Sequence, residues 1–131
     1  MVVLAADTNV WARAYLNDDA VQAKKARLAL AEARSSGGLF VPLIVLAELT
    51  WVLRSRWDRP RVLDAIESLL QTRGVTIESP SLVWKALEAS RNSVIGLADH
   101  LIREIAFASG ANEIITFDKA FGRLSRVRRL K

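Results

Sequence analysis

Of the fourteen carboxylates in this sequence, four keep company that suits a carboxylate poorly. Asp7 follows the apolar run Val2-Val3-Leu4-Ala5-Ala6, and Asp118 follows Ile114-Ile115-Thr116-Phe117. Glu48, placed on a helix, has Ile44, Val45, Trp51 and Val52 as its neighbours three and four residues away. Asp99 comes directly after Val94-Ile95-Gly96-Leu97-Ala98. A carboxylate on an apolar face must be paired, protonated or bound to a cation, because desolvating the bare charge is costly. Each acid has an ordinary explanation by itself. Asp7 and Asp118 suit helix caps, Asp99 suits the positive end of a helix dipole, and Glu48 suits a buried pair with Arg. One shared explanation is simpler than four separate ones. A hard divalent cation, Mg²⁺ or Mn²⁺, accepts oxygen ligands and cancels the repulsion among clustered acids.

The charge of the remaining chain points the same way. Without those four, ten acids stand against nineteen bases, and fourteen of the bases are Arg, which forks onto phosphate. A positive shell around a metal-loaded acidic hole suits phosphodiester hydrolysis: the shell holds the backbone, and the metal generates hydroxide and neutralises developing charge. Other chemistries are poorly served. With no cysteine and one histidine, His100, the sequence offers no disulfide scaffold, zinc cluster, iron–sulfur site or thiol nucleophile. A Ser-His-Asp mechanism would rest on His100 alone, which reads as a surface or rim residue. No glycine-rich phosphate loop is present.

Positioning the four acids requires alternating strands and helices. Met1–Ala6 reads as a strand, Val10–Leu16 as one or two helical turns, and Ala20 to about Arg34 as a helix capped by Asn17-Asp18-Asp19. Leu39-Phe40-Val41 is a second strand, after which Pro42 opens a helix to about Trp57. A helix from Arg59 to Thr72 stops at Gly74, and Val75-Thr76-Ile77 is a third strand. Ser81 caps a helix to Arg91, and Leu97–Ser109 is a further helix. Glu113–Thr116 is a fourth strand, Asp118 begins a short helical turn, and Val127–Leu130 is a last strand. This alternation implies a three-layer α/β/α sandwich with a central, mostly parallel sheet. With 131 residues and no linker or repeat, a single domain over residues 1–131 is expected. The longest apolar stretch, Leu39–Ala47, is too short to cross a bilayer, and no basic lead precedes Asp7. The expectation is a soluble, cytoplasmic protein with no membrane partner.

Asp7-Thr8-Asn9-Val10 after the first strand, Glu48 in Leu46-Ala47-Glu48-Leu49, Asp99-His100-Leu101-Ile102, and Thr116-Phe117-Asp118-Lys119-Ala120-Phe121 together resemble the four motifs of PIN-domain ribonucleases. In size and spacing the chain is most similar to the VapC toxins of toxin–antitoxin modules, over Val2 to about Leu124. The resemblance implies an Mg²⁺- or Mn²⁺-dependent endoribonuclease with Asp7, Glu48, Asp99 and Asp118 as metal-site residues. It implies that Asn9 and Thr116 help orient the acids or the attacking water. The implied reaction is in-line hydrolysis leaving 5′-phosphate and 3′-hydroxyl ends. Implied partners are an RNA substrate, a cognate antitoxin and a second copy of the chain. Two positions depart from the common pattern: Gly96 stands where many members carry a further acid, and His100 where a small residue is usual.

Two other signals have open readings. Trp11, Trp51, Trp57 and Trp84 suit either a core or an apolar groove that serves self-association or antitoxin binding. The basic clusters Arg54, Arg56, Arg59, Arg61 and Arg123, Arg126, Arg128, Arg129, Lys131 suit either a solvated face or an RNA track. Among rival functions, a phosphoryl-accepting aspartate domain would need a second acid beside Asp7, where Thr8 and Asn9 stand. A catalytically silent RNA- or protein-binding module on the same fold is the alternative that remains.

Overall fold

Among the described residues every strand pair is parallel, as the alternation of strands and helices implies. The computed structural model describes residues 2–131, so Met1, the start of the expected first strand, lies outside the described residues. The chain forms two units, one ending at Pro80 and the other spanning Ser81–Lys131.

The first unit runs β1 (Leu4–Ala5), α1 (Thr8–Leu16), α2 (Ala20–Ser36), β2 (Leu39–Val41), α3 (Leu43–Arg54), α4 (Arg59–Gln71) and β3 (Val75–Ile77). Its sheet has the order β1-β2-β3, with Leu4 opposite Leu39 and Leu39 opposite Val75. β1 is shorter than expected because β2 begins only at Leu39, after Gly37-Gly38, which leaves Val2 and Val3 with no β2 partner. The starts of α1, α2 and α4 are capped by aspartates: Asp7, Asp19 and Asp58 each accept from a backbone N–H of the first turn. α3 ends at Arg54 rather than Trp57. The Leu53 carbonyl accepts from both Arg56 and Trp57 N–H groups, which tightens the chain into a turn before Asp58 opens α4. Gly74 connects α4 to β3 at φ +85°, and a Cβ there would meet the Arg34 carbonyl oxygen at 2.6 Å. Val41, Leu46, Leu49, Leu53 and Ile66 are fully buried and form the centre of this unit.

The second unit carries α5 (Pro80–Arg91), α6 (Leu97–Ala108), β4 (Ile114–Thr116), a 3-10 turn (Phe121–Arg123) and β5 (Val127–Arg129). Ser81, expected as a cap, lies inside the first turn of α5; Pro80 begins the helix, where its fixed φ and missing N–H cost nothing. β4 and β5 pair with Ile114 opposite Val127 and Thr116 opposite Arg129. Ile95, Phe121 and Val127 form a small core beneath them, packed by Ile114, Ala120 and Leu124. Glu113, expected in the strand, stands before it and pairs with Arg128 at 2.9 Å.

Burial along α3 separates its structural from its solvent-facing side chains, and unfolding in urea reads the difference. Leu49→Ala is expected to cost about 3 kcal/mol, from lost transfer energy plus the cavity left in a fully buried site. Trp51→Ala, two residues on and 81% exposed, is expected to stay within about 0.5 kcal/mol of wild type.

Candidate active site

Asp7 occupies the junction of β1 and α1, where its Oδ1 accepts from the Val10 N–H at 3.2 Å. The cap engages one carboxylate oxygen and leaves the other for a ligand. Thr8 Oγ1 donates to Glu48 Oε1 at 3.0 Å, tying the start of α1 to the middle of α3. Asp7, Thr8, Asn9, Ala47, Glu48, Trp51 and Val52 line one cleft of about 610 Å³. The first two of the four motifs, including Asn9, are therefore brought together in the first unit.

Glu48 is solvent-exposed, which corrects the expectation of a carboxylate on a buried apolar face. α3 buries Val45, Leu46, Leu49, Thr50 and Leu53, and the opposite face presents Ile44, Glu48 and Trp51 to solvent. Among the described residues Glu48 has no ion-pair partner, so it is not one half of a buried Glu–Arg pair. Thr8 is a functional candidate that residue type alone did not single out. Its signal was present: a hydroxyl directly after Asp7, at a helix start, is placed to donate.

In the second unit, Asp99 lies in the first turn of α6, where the helix dipole favours its charge. Burial and then the neighbouring Asp118 charge push its carboxyl above the usual carboxylate range. Asp118 accepts from the Phe121 N–H at 2.7 Å through Oδ1, and its own N–H donates to Thr116 Oγ1 at 3.0 Å. The third and fourth motifs thus form a second carboxylate pair, with Thr116 fixing the backbone of Asp118.

His100 is not a rim residue. It is 4% exposed, on the α6 stripe Leu97, His100 and Leu101, and its Nε2 lies 3.2 Å from Ser93 Oγ. The three- and four-residue spacing of that stripe carries His100 inward with the two leucines.

The tryptophans divide between the two open readings. Trp11 is buried and stacks on Tyr15, which meets Trp57 edge-on, and Arg61 lies over the Trp57 ring at 4.0 Å. Burial raises the Tyr15 hydroxyl to about 12. Trp84 is half-buried on α5. Trp51 has neither burial nor a ring partner among the described residues.

Much of the basic charge is engaged locally. Arg54 donates to the Trp57 carbonyl, Arg56 faces Asp18 at 3.4 Å, and Arg128 pairs with Glu113. Arg126 lies over Phe107 at 3.9 Å and donates to the carbonyls of Ala111 and Asn112.

The donor chemistry fits Mg²⁺ or Mn²⁺. Each unit offers two carboxylates with hydroxyl or amide oxygens beside them and neither thiolate nor exposed imidazole. Among the described residues, neither unit by itself gathers three carboxylate or imidazole groups around one point.

The strain on Asp99 has a measurable sign. Its folded carboxyl holds a proton more tightly than the unfolded one, so stability falls as pH rises from the ordinary Asp range through the raised value. In metal-free buffer, Asp99→Asn is expected to raise the melting temperature at pH 7 by a few degrees, and the gain should disappear near pH 3. A gain of equal size at both pH values would assign the effect to packing rather than charge.

A sequence model of the PIN domain matches residues 4–127, a span that includes all four motifs. No curated protein matches the sequence. PIN domains are a nuclease-type fold, typically acting on nucleic acid, and the mixed α/β arrangement with parallel strands agrees with that fold. No helix among the described residues is long and apolar enough to cross a membrane. The chain belongs to the PIN-domain family.

Proposed function

We propose that this protein is a divalent-metal-dependent endoribonuclease, and that it serves as the toxin of a type II toxin–antitoxin pair. The carrying observation is the coincidence of the PIN match with two carboxylate pairs at the four motif positions: Asp7 with Glu48 in one cleft, and Asp99 beside Asp118. On this reading Asp7, Glu48, Asp99 and Asp118 hold Mg²⁺ or Mn²⁺. When bound, the cation supplies hydroxide at neutral pH and offsets the charge that develops on the phosphate. Water attacks phosphorus in line with the departing 3′ oxygen; the P–O3′ bond breaks, leaving a 5′-phosphate and a 3′-hydroxyl.

The chain's own residues do the positioning. The Thr8 hydroxyl restricts Glu48 to orientations that face the cleft, and the Val10 N–H fixes one oxygen of Asp7. Thr116 and Phe121 hold Asp118 from both sides. Asn9 lines the same cleft as Asp7 and is placed to orient water or a phosphate oxygen. The toxin assignment draws on the resemblance of the motif set and its spacing to VapC proteins. A cognate antitoxin would silence the site by setting an Arg or Lys against the acids, since a guanidinium can pair with two carboxylates in a dry site. A homodimer and a cytoplasmic location belong to the same reading.

Cleavage of RNA by purified protein tests it. Activity is expected in Mn²⁺ or Mg²⁺ and not in EDTA. Asp7→Asn is expected to lower cleavage by about 100-fold or more while the fold persists, because Asn caps a helix about as well as Asp. Full activity of Asp7→Asn at saturating Mn²⁺ would sink the metal site. Co-expression of the protein encoded next to this one should suppress cleavage; unchanged cleavage by every neighbouring product would remove the toxin assignment and leave the nuclease.

A further inference from the structure

The acid cleft of the first unit does not end at Asn9. Asn9 also lines a second groove, of about 560 Å³, between α1 and α2, whose polar residues include Arg13, Gln22 and Lys25. The two depressions share Asn9 as a lining residue, with acids in the first and cations in the second. Lys25 is exposed and has no ion-pair partner among the described residues. Arg13 is exposed and meets only Asp18, at 3.3 Å, and Asp18 is shared with Arg56. The groove thus carries one cation without an ion-pair partner and a second held only by an exposed pair, directly beside the acid cleft.

The acid cleft is also lined by Trp51. It lies one turn along α3 from Glu48, about 5 Å of helix rise. That separation is comparable to the reach from a phosphate to its own base. An indole 81% exposed beside a charged cleft contributes nothing to the core, whereas a nucleobase laid on it removes one face of each ring from water.

We propose that a single RNA strand is gripped on both sides of the Asp7–Glu48 pair, with its phosphates tracked by Lys25 and Arg13 and one base stacked on Trp51. The inference rests on the nuclease reading and adds the path of the substrate to it. Charge complementarity favours RNA over a protein partner: the groove is cationic where a polyanion would run, and the exposed aromatic offers a face on which one base can stack. Stacking tolerates any base, so the cut would be set by the register of the strand rather than by recognition of one base edge.

Binding of a fluorescent single strand of about ten nucleotides to the full-length Asp7→Asn protein in Mn²⁺ tests this without cleavage. Adding Trp51→Ala is expected to weaken binding about tenfold with the salt slope unchanged, and Trp51→Phe should recover most of the loss. Adding Lys25→Ala should reduce the slope of log affinity against log salt by about 0.7, the value for one phosphate contact on a single strand. Parent-like affinity and slope in both variants would overturn the inference while leaving the nuclease reading to its cleavage assay. Unchanged RNA binding with altered self-association of Trp51→Ala in sedimentation would also overturn it and assign the face to a protein. Failure of the parent to bind RNA, together with failure of wild type to cleave it, would overturn the underlying reading.

Discussion

Two carboxylates stay beside each other only where the scaffold holds them against their own repulsion, and the hydrogen bond from Thr8 Oγ1 to Glu48 Oε1 is where this scaffold does so in the first unit. It joins the first turn of α1 to the middle of α3, elements forty residues apart in sequence. Without it, Glu48 is an exposed side chain with several free torsions, and nothing else described fixes its direction. With it, the oxygens of Glu48 and Asp7 share one cleft before any cation arrives. The second unit solves the same problem differently. Asp118 is immobilised through its backbone and one oxygen, and the Asp99 carboxyl is pushed up first by burial and then by the Asp118 charge. Asp7, Glu48 and Asp118 are pre-positioned by neutral donors, which leaves their negative charge uncancelled and available to a cation.

The helix-cap reading and the functional reading of the aspartates therefore do not compete. A cap uses one lone pair of one carboxylate oxygen, and a metal uses another. Asp7 and Asp118 are both local caps and candidate ligands because a helix or turn start beyond a strand end is where an open backbone N–H and a cleft coincide. The cap then serves the site by removing a rotamer choice from the ligand.

Alternation of strands and helices, the parallel pairing and the motif positions were all legible from residue order, because each depends on local composition or on spacing along the chain. What was not legible depended on which way a helix faces. In α3, Leu43-Ile44-Val45-Leu46-Ala47-Glu48-Leu49-Thr50-Trp51-Val52-Leu53 is apolar at nearly every position, so the sequence carries no contrast between buried and exposed faces. That absence of contrast made Glu48 look buried and left Trp51 unassigned. α6 shows the opposite failure. Leu97, His100 and Leu101 follow a plain three-and-four spacing, but the polarity of imidazole masked it, and His100 lies inside with Ser93 as its partner. The end of α3 depended on one carbonyl accepting twice at Leu53, a geometric event with no residue-type signature.

Net charge was a weaker guide than placement. A balance of +5 with fourteen Arg suggests a polyanion track wherever bases cluster in sequence. In the folded chain Arg54, Arg56 and Arg61 of the first cluster, and Arg126 and Arg128 of the tail, are committed to local contacts: a guanidinium with five donors satisfies carbonyls, rings and acids wherever the backbone turns. Lysine, a point charge on a flexible stem, is less readily absorbed in that way. The contrast separates two uses of positive charge in one small chain, arginine chiefly as mortar between turns and lysine as exposed charge. The candidate nucleic-acid path accordingly rests on the lining residue Asn9 that the groove shares with the acid cleft, not on the density of bases along the sequence.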